Sequence, residues 1–328
     1  MQKFNQLIEK DMEIVDQIIH SDMQSNVALI NQISHYIINA GGKRIRPKLV
    51  LICGKLCGYD NDKPDLPSDN LLHKMAAMVE YIHTATLLHD DVVDESGLRR
   101  GYKTANNLFG NAAAVLVGDF IYTRSFQMMV QSNSIELLKI MANCTNRISE
   151  GEVDQLLNIG RLELSIEEYL KVIEAKTAAL FEACGLVGGI IAGVSMAKQQ
   201  QLAKYTKNLG IAFQIADDIL DYIGESEIIG KNVGDDLMEG KITLPLIYTM
   251  QMSDGQVNEQ IKQALQNPDN DKVKFIIQTV SQTNAIELSK QLANKYVDLA
   301  ISALDDFAAS PYKDALIELV NYSVSRLV

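Results

Sequence analysis

An apolar run from Met75 to Leu88, free of Gly and Pro, ends in His89-Asp90-Asp91-Val92-Val93-Asp94-Glu95, and no other stretch restricts the possible folds so tightly. Its length and composition predict a helix on which Asp90 and Asp94 stand one turn apart on one face, with Asp91 beside them. Ser96-Gly97 predicts the helix end just beyond, so like charges crowd a C-terminus whose dipole already repels anions. Hard divalent cations remove that repulsion. Mg2+ in particular is held by one or two carboxylates and fills its other positions with water and phosphate oxygens. A solvated acidic surface would account for one such motif, but the pattern recurs. Asp217-Asp218-Ile219-Leu220-Asp221 again closes an apolar run, Leu209 to Ala216, and is again followed by a glycine, Gly224. Two such ends facing each other would make a cleft that needs several cations and a polyanion to bridge them, which points to diphosphate.

The rest of the chain reads as helix. Apolar residues at Leu7, Ile14 and Ile18, then at Val27, Ile30, Ile33 and Ile37, recur at helical spacing, and strand-like runs occur only inside longer helical patterns. Loops are predicted at Tyr59 to Asn70, Ser132 to Ser134, Gly224 to Ile242 and Gln266 to Asp271. The expected architecture is an all-α bundle in a single domain, residues 1–328, with an apolar interior between helices. Ala183 to Ala197 is too short and too glycine-rich to span a bilayer, so it is expected to be a buried helix packing through Gly185, Gly188, Gly189 and Gly193. No transmembrane segment and no signal peptide are expected. Cys53, Cys57, Cys144 and Cys184 lie in apolar stretches as reduced thiols, which fits a cytoplasmic protein. The net charge of −12 argues against nucleic acid as a partner.

An acidic chain that binds diphosphate needs metal or local cations. Gly41-Gly42-Lys43-Arg44-Ile45-Arg46-Pro47-Lys48 puts four cations into eight positions. A surface basic patch is the plain alternative, but glycines that free the backbone beside Lys43 and Arg46 suit phosphate oxygens well. His83, two turns before Asp90, would add a hydrogen bond. Arg99-Arg100 follows the first acidic motif, as a phosphate-binding pair or as an ion-pair partner for Asp94 or Glu95. Lys176 and Thr177 place a cation and a hydroxyl inside an apolar helix, and Gln214 precedes the second motif. Lys231 and Lys241 lie on a glycine-flanked loop that would close over an anion.

These residues, in this order, resemble the trans-isoprenyl diphosphate synthase family, from Ile33 to the C-terminus. The two DDxxD motifs, GGKRIRP, the Arg pair, the Lys-Thr pair and GKNVGDDLMEGKITLP carry the likeness. HTATLLHDDVVDES and AAAVLVGDFIYTRSFQMM are most similar to its long-chain bacterial branch. The resemblance implies the isoprenoid synthase fold with a central apolar cavity, and a homodimer. It implies that Asp90, Asp94 and Asp217 ligate three Mg2+ ions on an allylic diphosphate, with Asp91, Asp218 and Asp221 supporting. It implies contacts to that allylic group from Lys176, Thr177, Gln214, Lys231, Lys241 and Arg99, and to isopentenyl diphosphate from Lys43, Arg46, His83 and Arg100. The implied product is about C40, built on farnesyl diphosphate for a quinone side chain. A terpene cyclase is disfavoured because it needs no second diphosphate site. A non-catalytic partner subunit or a calcium-binding structural protein is disfavoured because both acidic motifs are intact.

Helix geometry adds an expectation about chain length. Ala85 and Thr86 lie about 6–7.5 Å up the axis from Asp90 at ~1.5 Å per residue, and both are small, so no floor stops a growing tail there. Met129 and Met141 are the candidate floor, or else ordinary core methionines.

Overall fold

The computed structural model describes residues 2–60, 70–99, 101–224 and 233–327. In chain order its helices are α1 (Gln2–Leu7), α2 (Glu9–Asp22), α3 (Ala28–Asn39), α4 (Ile45–Leu56), α5 (Leu71–Val93), α6 (Ala105–Phe109), α7 (Asn111–Gln131), α8 (Ile135–Leu157) and α9 (Ile166–Ile173). After a π-helical turn at Glu174–Ala178 come α10 (Ala179–Ile191), α11 (Met196–Ile223), α12 (Asp235–Met238) and α13 (Leu244–Met252). Helices α14 (Gly255–Gln266), α15 (Asn270–Ser281), α16 (Ala285–Ser302) and α17 (Pro311–Ser325) complete the series. Among the described residues the all-helical expectation holds, with one exception. A hairpin of β1 (Leu98–Arg99) and β2 (Tyr102–Lys103), with Arg99 opposite Tyr102, follows the first acidic motif. Four paired residues around Gly101 (φ 81°) are too few to show alternation in the sequence.

The chain sorts into two compact units. The first comprises Met1–Cys144, Leu180–Thr206 and Ala303–Leu319, and the second Thr145–Ala179, Lys207–Ser302 and Val320–Val328.

In the first unit α5 is buried on almost every face, as an apolar helix with no polar stripe must be. Its few internal polar groups are therefore paired. Glu80 meets Arg44 at 2.6 Å, His73 meets Asp11 at 2.9 Å, and the Tyr81 hydroxyl donates to the Ile19 carbonyl at 2.9 Å. The predicted helix end is real, but its mechanism differs from the Ser96-Gly97 stop expected. Asp94 is the C-cap and Glu95 itself takes the left-handed conformation (φ 50°) usually left to glycine. The Ser96 amide bonds the Asp91 carbonyl at 3.0 Å and the Glu95 amide that of Val92 at 3.4 Å, which together form a Schellman motif.

Glycines set the close approaches. A Cβ on Gly118 would lie 2.3 Å from the His89 ring, and one on Gly185 would lie 2.6 Å from the Leu202 carbonyl oxygen. At Gly188 it would meet the Cys53 Cβ and the Val50 carbonyl oxygen, each at 2.8 Å. Gly193 departs from the packing role expected of it. It has open space around it and φ 67°, so it ends the turn after α10 rather than packing against a neighbour.

The second unit is centred on the later part of α11. Ile211, Ile215, Ile219 and Tyr222 pack with Leu237, Leu244, Ile247, Ile276, Val280 and Ala293. Helix starts here are fixed by side chains: Ser165 and Glu168 form a reciprocal capping box on α9, and Asp254 and Asp269 cap α14 and α15. Part of the predicted loop 224–242 is helix α12, and residues 225–232 lie outside the described residues.

Because the atoms facing Gly188 are partly backbone, they cannot swing away. Gly188→Ala is expected to destabilise the protein by about 1–3 kcal/mol, the usual cost of overpacking, read as a lower midpoint in chemical denaturation.

Candidate active site

The end of α5 presents its three aspartates in different ways. Asp91 is 1% exposed, whereas Asp90 and Asp94 are only partly buried. Burial forces Asp91 to find donors, and the hairpin supplies them. Arg99 places Nε at 2.8 Å and Nη2 at 2.7 Å from Asp91 Oδ1, and the Asn106 amide bonds the Asp91 carbonyl at 3.0 Å. Arg99 thus holds the acidic motif in shape, a partner different from the Asp94 or Glu95 that the sequence suggested. Asp91 Oδ2 is buried and without a hydrogen-bond partner among the described residues. Such an unmet acceptor suits a cation or a cation-bound water.

In the same unit His83 lies on α5, half-buried. Ala85 is fully buried, and the half-buried Thr86 donates its hydroxyl to the His83 carbonyl at 2.9 Å. Met129 and Met141 are buried. The basic segment divides by role. Arg44, left-handed at φ 49°, turns inward to Glu80, and Lys48 Nζ donates to Asn5 Oδ1 at 2.9 Å. Arg46 lies over the Phe181 ring at 4.7 Å, and Lys43 is exposed. Arg100 and Lys231 fall outside the described residues.

In the second unit α11 repeats the arrangement. Asp218 is 3% exposed and accepts from the Tyr169 hydroxyl at 2.5 Å and from Gln214 Nε2 at 2.7 Å. Thr177 Oγ1 donates to Gln214 Oε1 at 2.9 Å, so Thr177, Gln214, Asp218 and Tyr169 form one relay. Burial, then the charges of Asp236 and Asp217, outweigh these hydrogen bonds and push the Asp218 carboxyl up to about 8. Asp217 is more exposed and pairs with Arg326 at 2.7 Å. Asp221 holds the start of α12, its carbonyl accepting from Gly234 N at 2.9 Å and its Oδ2 from Asp236 N at 3.2 Å.

Lys176 and Thr177 sit in the π-helical turn, an irregularity that often marks functional sites. Lys176 Nζ bonds Glu152 Oε2 at 2.5 Å and Gln155 Oε1 at 2.8 Å, and Lys241 Nζ meets Glu239 at 2.6 Å. Tyr169, Glu152, Gln155, Asp236 and Arg326 are parts of this site that the sequence reading did not single out. Tyr169 looks like any core aromatic, and Arg326 lies far along the chain from Asp217.

Among the described residues no three His, Cys, Asp or Glu side chains form a ready-made metal cage. The guanidinium at Asp217 already marks that carboxylate as a place for positive charge.

The polyprenyl synthetase family model matches residues 27–280. The chain is 43% identical over 327 residues to octaprenyl diphosphate synthase of Escherichia coli (strain K12), covering 99% of each. It is 39% identical to an all-trans-nonaprenyl-diphosphate synthase (geranyl-diphosphate specific) of Rhodobacter capsulatus, over 98% of this chain and 96% of that one. A solved polyprenyl synthase from Caulobacter crescentus CB15, complexed with calcium and isoprenyl diphosphate, superposes with a TM-score of 0.94 at 42% identity, covering 100% of this chain and 98% of that one. The chain belongs to the polyprenyl synthetase family of prenyltransferases and has its all-α isoprenoid synthase fold.

Asp218 offers a pH test. Its folded pKa lies above the unfolded carboxylate value, so folding takes up a proton between the two, and the stability this confers is lost as pH rises through about 8. In metal-free protein the melting temperature of Asp218→Asn minus that of the wild type is expected to grow from pH 5 to about pH 8 and then level off. A difference independent of pH would mean that Asp218 stays ionised throughout.

Proposed function

We propose that the chain is a long-chain all-trans polyprenyl diphosphate synthase. It adds isopentenyl diphosphate repeatedly to an allylic diphosphate, farnesyl for preference, to give a product of about C40 for a quinone side chain. The observation that carries this is the common design of the two acidic motifs. In each, the second aspartate is buried and fixed by its own donors, Arg99 for Asp91 and Tyr169 with Gln214 for Asp218, while the aspartate before it is more open. The likeness to an octaprenyl synthase over the full chain supports C40, and the likeness to a nonaprenyl synthase keeps a neighbouring length as the second reading.

Asp90, Asp94 and Asp217 are the carboxylates that would hold Mg2+, three ions by resemblance, with Asp91, Asp218 and Asp221 keeping them in place. Bound there, Mg2+ supplies Lewis-acid stabilisation of the diphosphate as it leaves the allylic carbon. The chain's own cations complete the compensation. Lys176, Lys231, Lys241 and Arg99, with Thr177 and Gln214, serve the allylic group, and Lys43, Arg46, His83 and Arg100 serve isopentenyl diphosphate. Attack by the second double bond extends the chain, and the released diphosphate accepts the proton. Water must be excluded from the cation, and the apolar α5 and α7 are the walls we assign to the central cavity.

Helices α8, α11 and α17 each run across the division between the two units, which supports a single polyprenyl synthase domain over 1–328. A homodimer is supported by apolar side chains left outside: Leu116 on α7 is 67% exposed, Val130 61% and Ile135 on α8 65%. Among the described residues no helix is long and apolar enough to cross a membrane. The free cysteines support a cytoplasmic enzyme, and the net charge of −12 argues against a nucleic-acid partner.

The direct test is to incubate the protein with Mg2+, farnesyl diphosphate and radiolabelled isopentenyl diphosphate and to size the dephosphorylated prenols. Elongated linear prenols are expected, whereas a terpene cyclase would leave the label unincorporated. Asp90→Ala and Asp217→Ala are each expected to lower turnover about a hundredfold or more while circular dichroism stays that of the folded protein. Near-normal turnover in either with Mg2+ limiting would count against the metal assignment. Ala85→Tyr is expected to shorten the product to about C20 or less, since the ring would stand roughly 7.5 Å above Asp90. An unchanged product length would show that the tail does not pass Ala85.

A further inference from the structure

Arg326, just beyond the end of α17, is held in a way that its ion pair with Asp217 does not explain. Its guanidinium lies over the Phe213 ring with Cζ 4.4 Å from the centroid. Nε donates to the Ser323 carbonyl at 2.9 Å and Nη2 to the Phe213 carbonyl at 3.2 Å, and Nη2 also reaches Asp217 Oδ1 at 2.7 Å. The stacking and the two carbonyl bonds fix the cation through Phe213 on α11 and Ser323 on α17, and none of them needs the Asp217 carboxylate. Only 18% of the Arg326 side chain is exposed, so solvent screens this charge poorly. Around it the acids are crowded, with Asp236 and Asp217 both acting on Asp218.

Resting on the reading of Asp217 as a metal ligand, we propose that Arg326 is a resident counter-ion of Asp217 that competes with the divalent cation for this carboxylate. A guanidinium pinned by an aromatic ring and two carbonyls does not leave when a metal arrives. The incoming dication therefore meets a neighbouring positive charge, or takes Asp217 from its existing partner, and in both cases binds more weakly than the acidic motif alone would allow. The same charge neutralises Asp217 beside Asp218 and keeps the end of α11 intact before metal is bound. Arg326 acts through Asp217 and is a positioning residue, so the readout is metal affinity rather than turnover.

The experiment is Mn2+ binding to the full chain without any diphosphate, followed by the electron paramagnetic resonance signal of free Mn2+. Arg326→Gln is expected to bind Mn2+ roughly three- to tenfold more tightly than the wild type, the scale of one partly buried charge pair. Arg326→Lys, the milder change, is expected to fall between the two and serves alone if the Gln variant does not fold. Equal or weaker Mn2+ binding in the variants overturns the proposal. Asp217→Asn, measured alongside, separates the two readings. Weaker binding in that variant upholds Asp217 as a ligand whatever Arg326 does, and unchanged binding removes the metal reading itself.

Discussion

A carboxylate taken out of water must be met by donors or by protons, and two buried aspartates, Asp91 and Asp218, impose that demand on the rest of this site. Asp91 is met by Arg99, and this requires the hairpin that brings Arg99 back under the helix end. Asp218 is met by Tyr169 and Gln214, and Gln214 in turn orders Thr177. Burial costs more than these bonds return at Asp218, which is why its carboxyl holds a proton to unusually high pH. The buried members thus fix geometry, and the more open Asp90 and Asp217 are left for exchangeable partners.

The cations follow a related rule. Lys176 sits on Glu152, Lys241 on Glu239, Arg99 on Asp91 and Arg326 on Asp217. Lys176, Lys241 and Arg99, three of the groups proposed to meet phosphate, thus already have an acidic neighbour within the protein. For Lys176 and Lys241 the proposed binding of a metal diphosphate would be largely an exchange of partners, in which little bare charge is created.

Much of this was legible in the sequence, for physical reasons. An apolar run without Gly or Pro has little choice but helix, and three carboxylates at its end announce themselves. Loops were readable where turn residues gather, as at Ser132 to Ser134, where Asn133 takes φ 50°. What was not legible depends on contacts distant in the chain. Nothing near Arg326 points to Asp217, and Tyr169 on an apolar helix face reads as packing. Arg44 looked like one of four equivalent cations until Glu80 was seen opposite it. Gly193 looked like its neighbours at Gly185 and Gly188, yet it ends a turn, because side-chain spacing does not reveal the sign of φ.

The left-handed Glu95 carries one more implication. An ordinary side chain in that conformation costs about 1 kcal/mol that a glycine would not. The two Schellman bonds offset it together with contacts from further along the chain, Arg99 on Asp91, Asn106 on the Asp91 carbonyl and Thr104 on the Ser96 carbonyl. The first acidic motif is therefore not shaped by its own helix alone. The shape of that helix end is thus tied to Arg99, Thr104 and Asn106, and the metal geometry proposed for it depends on side chains the acidic motif does not contain.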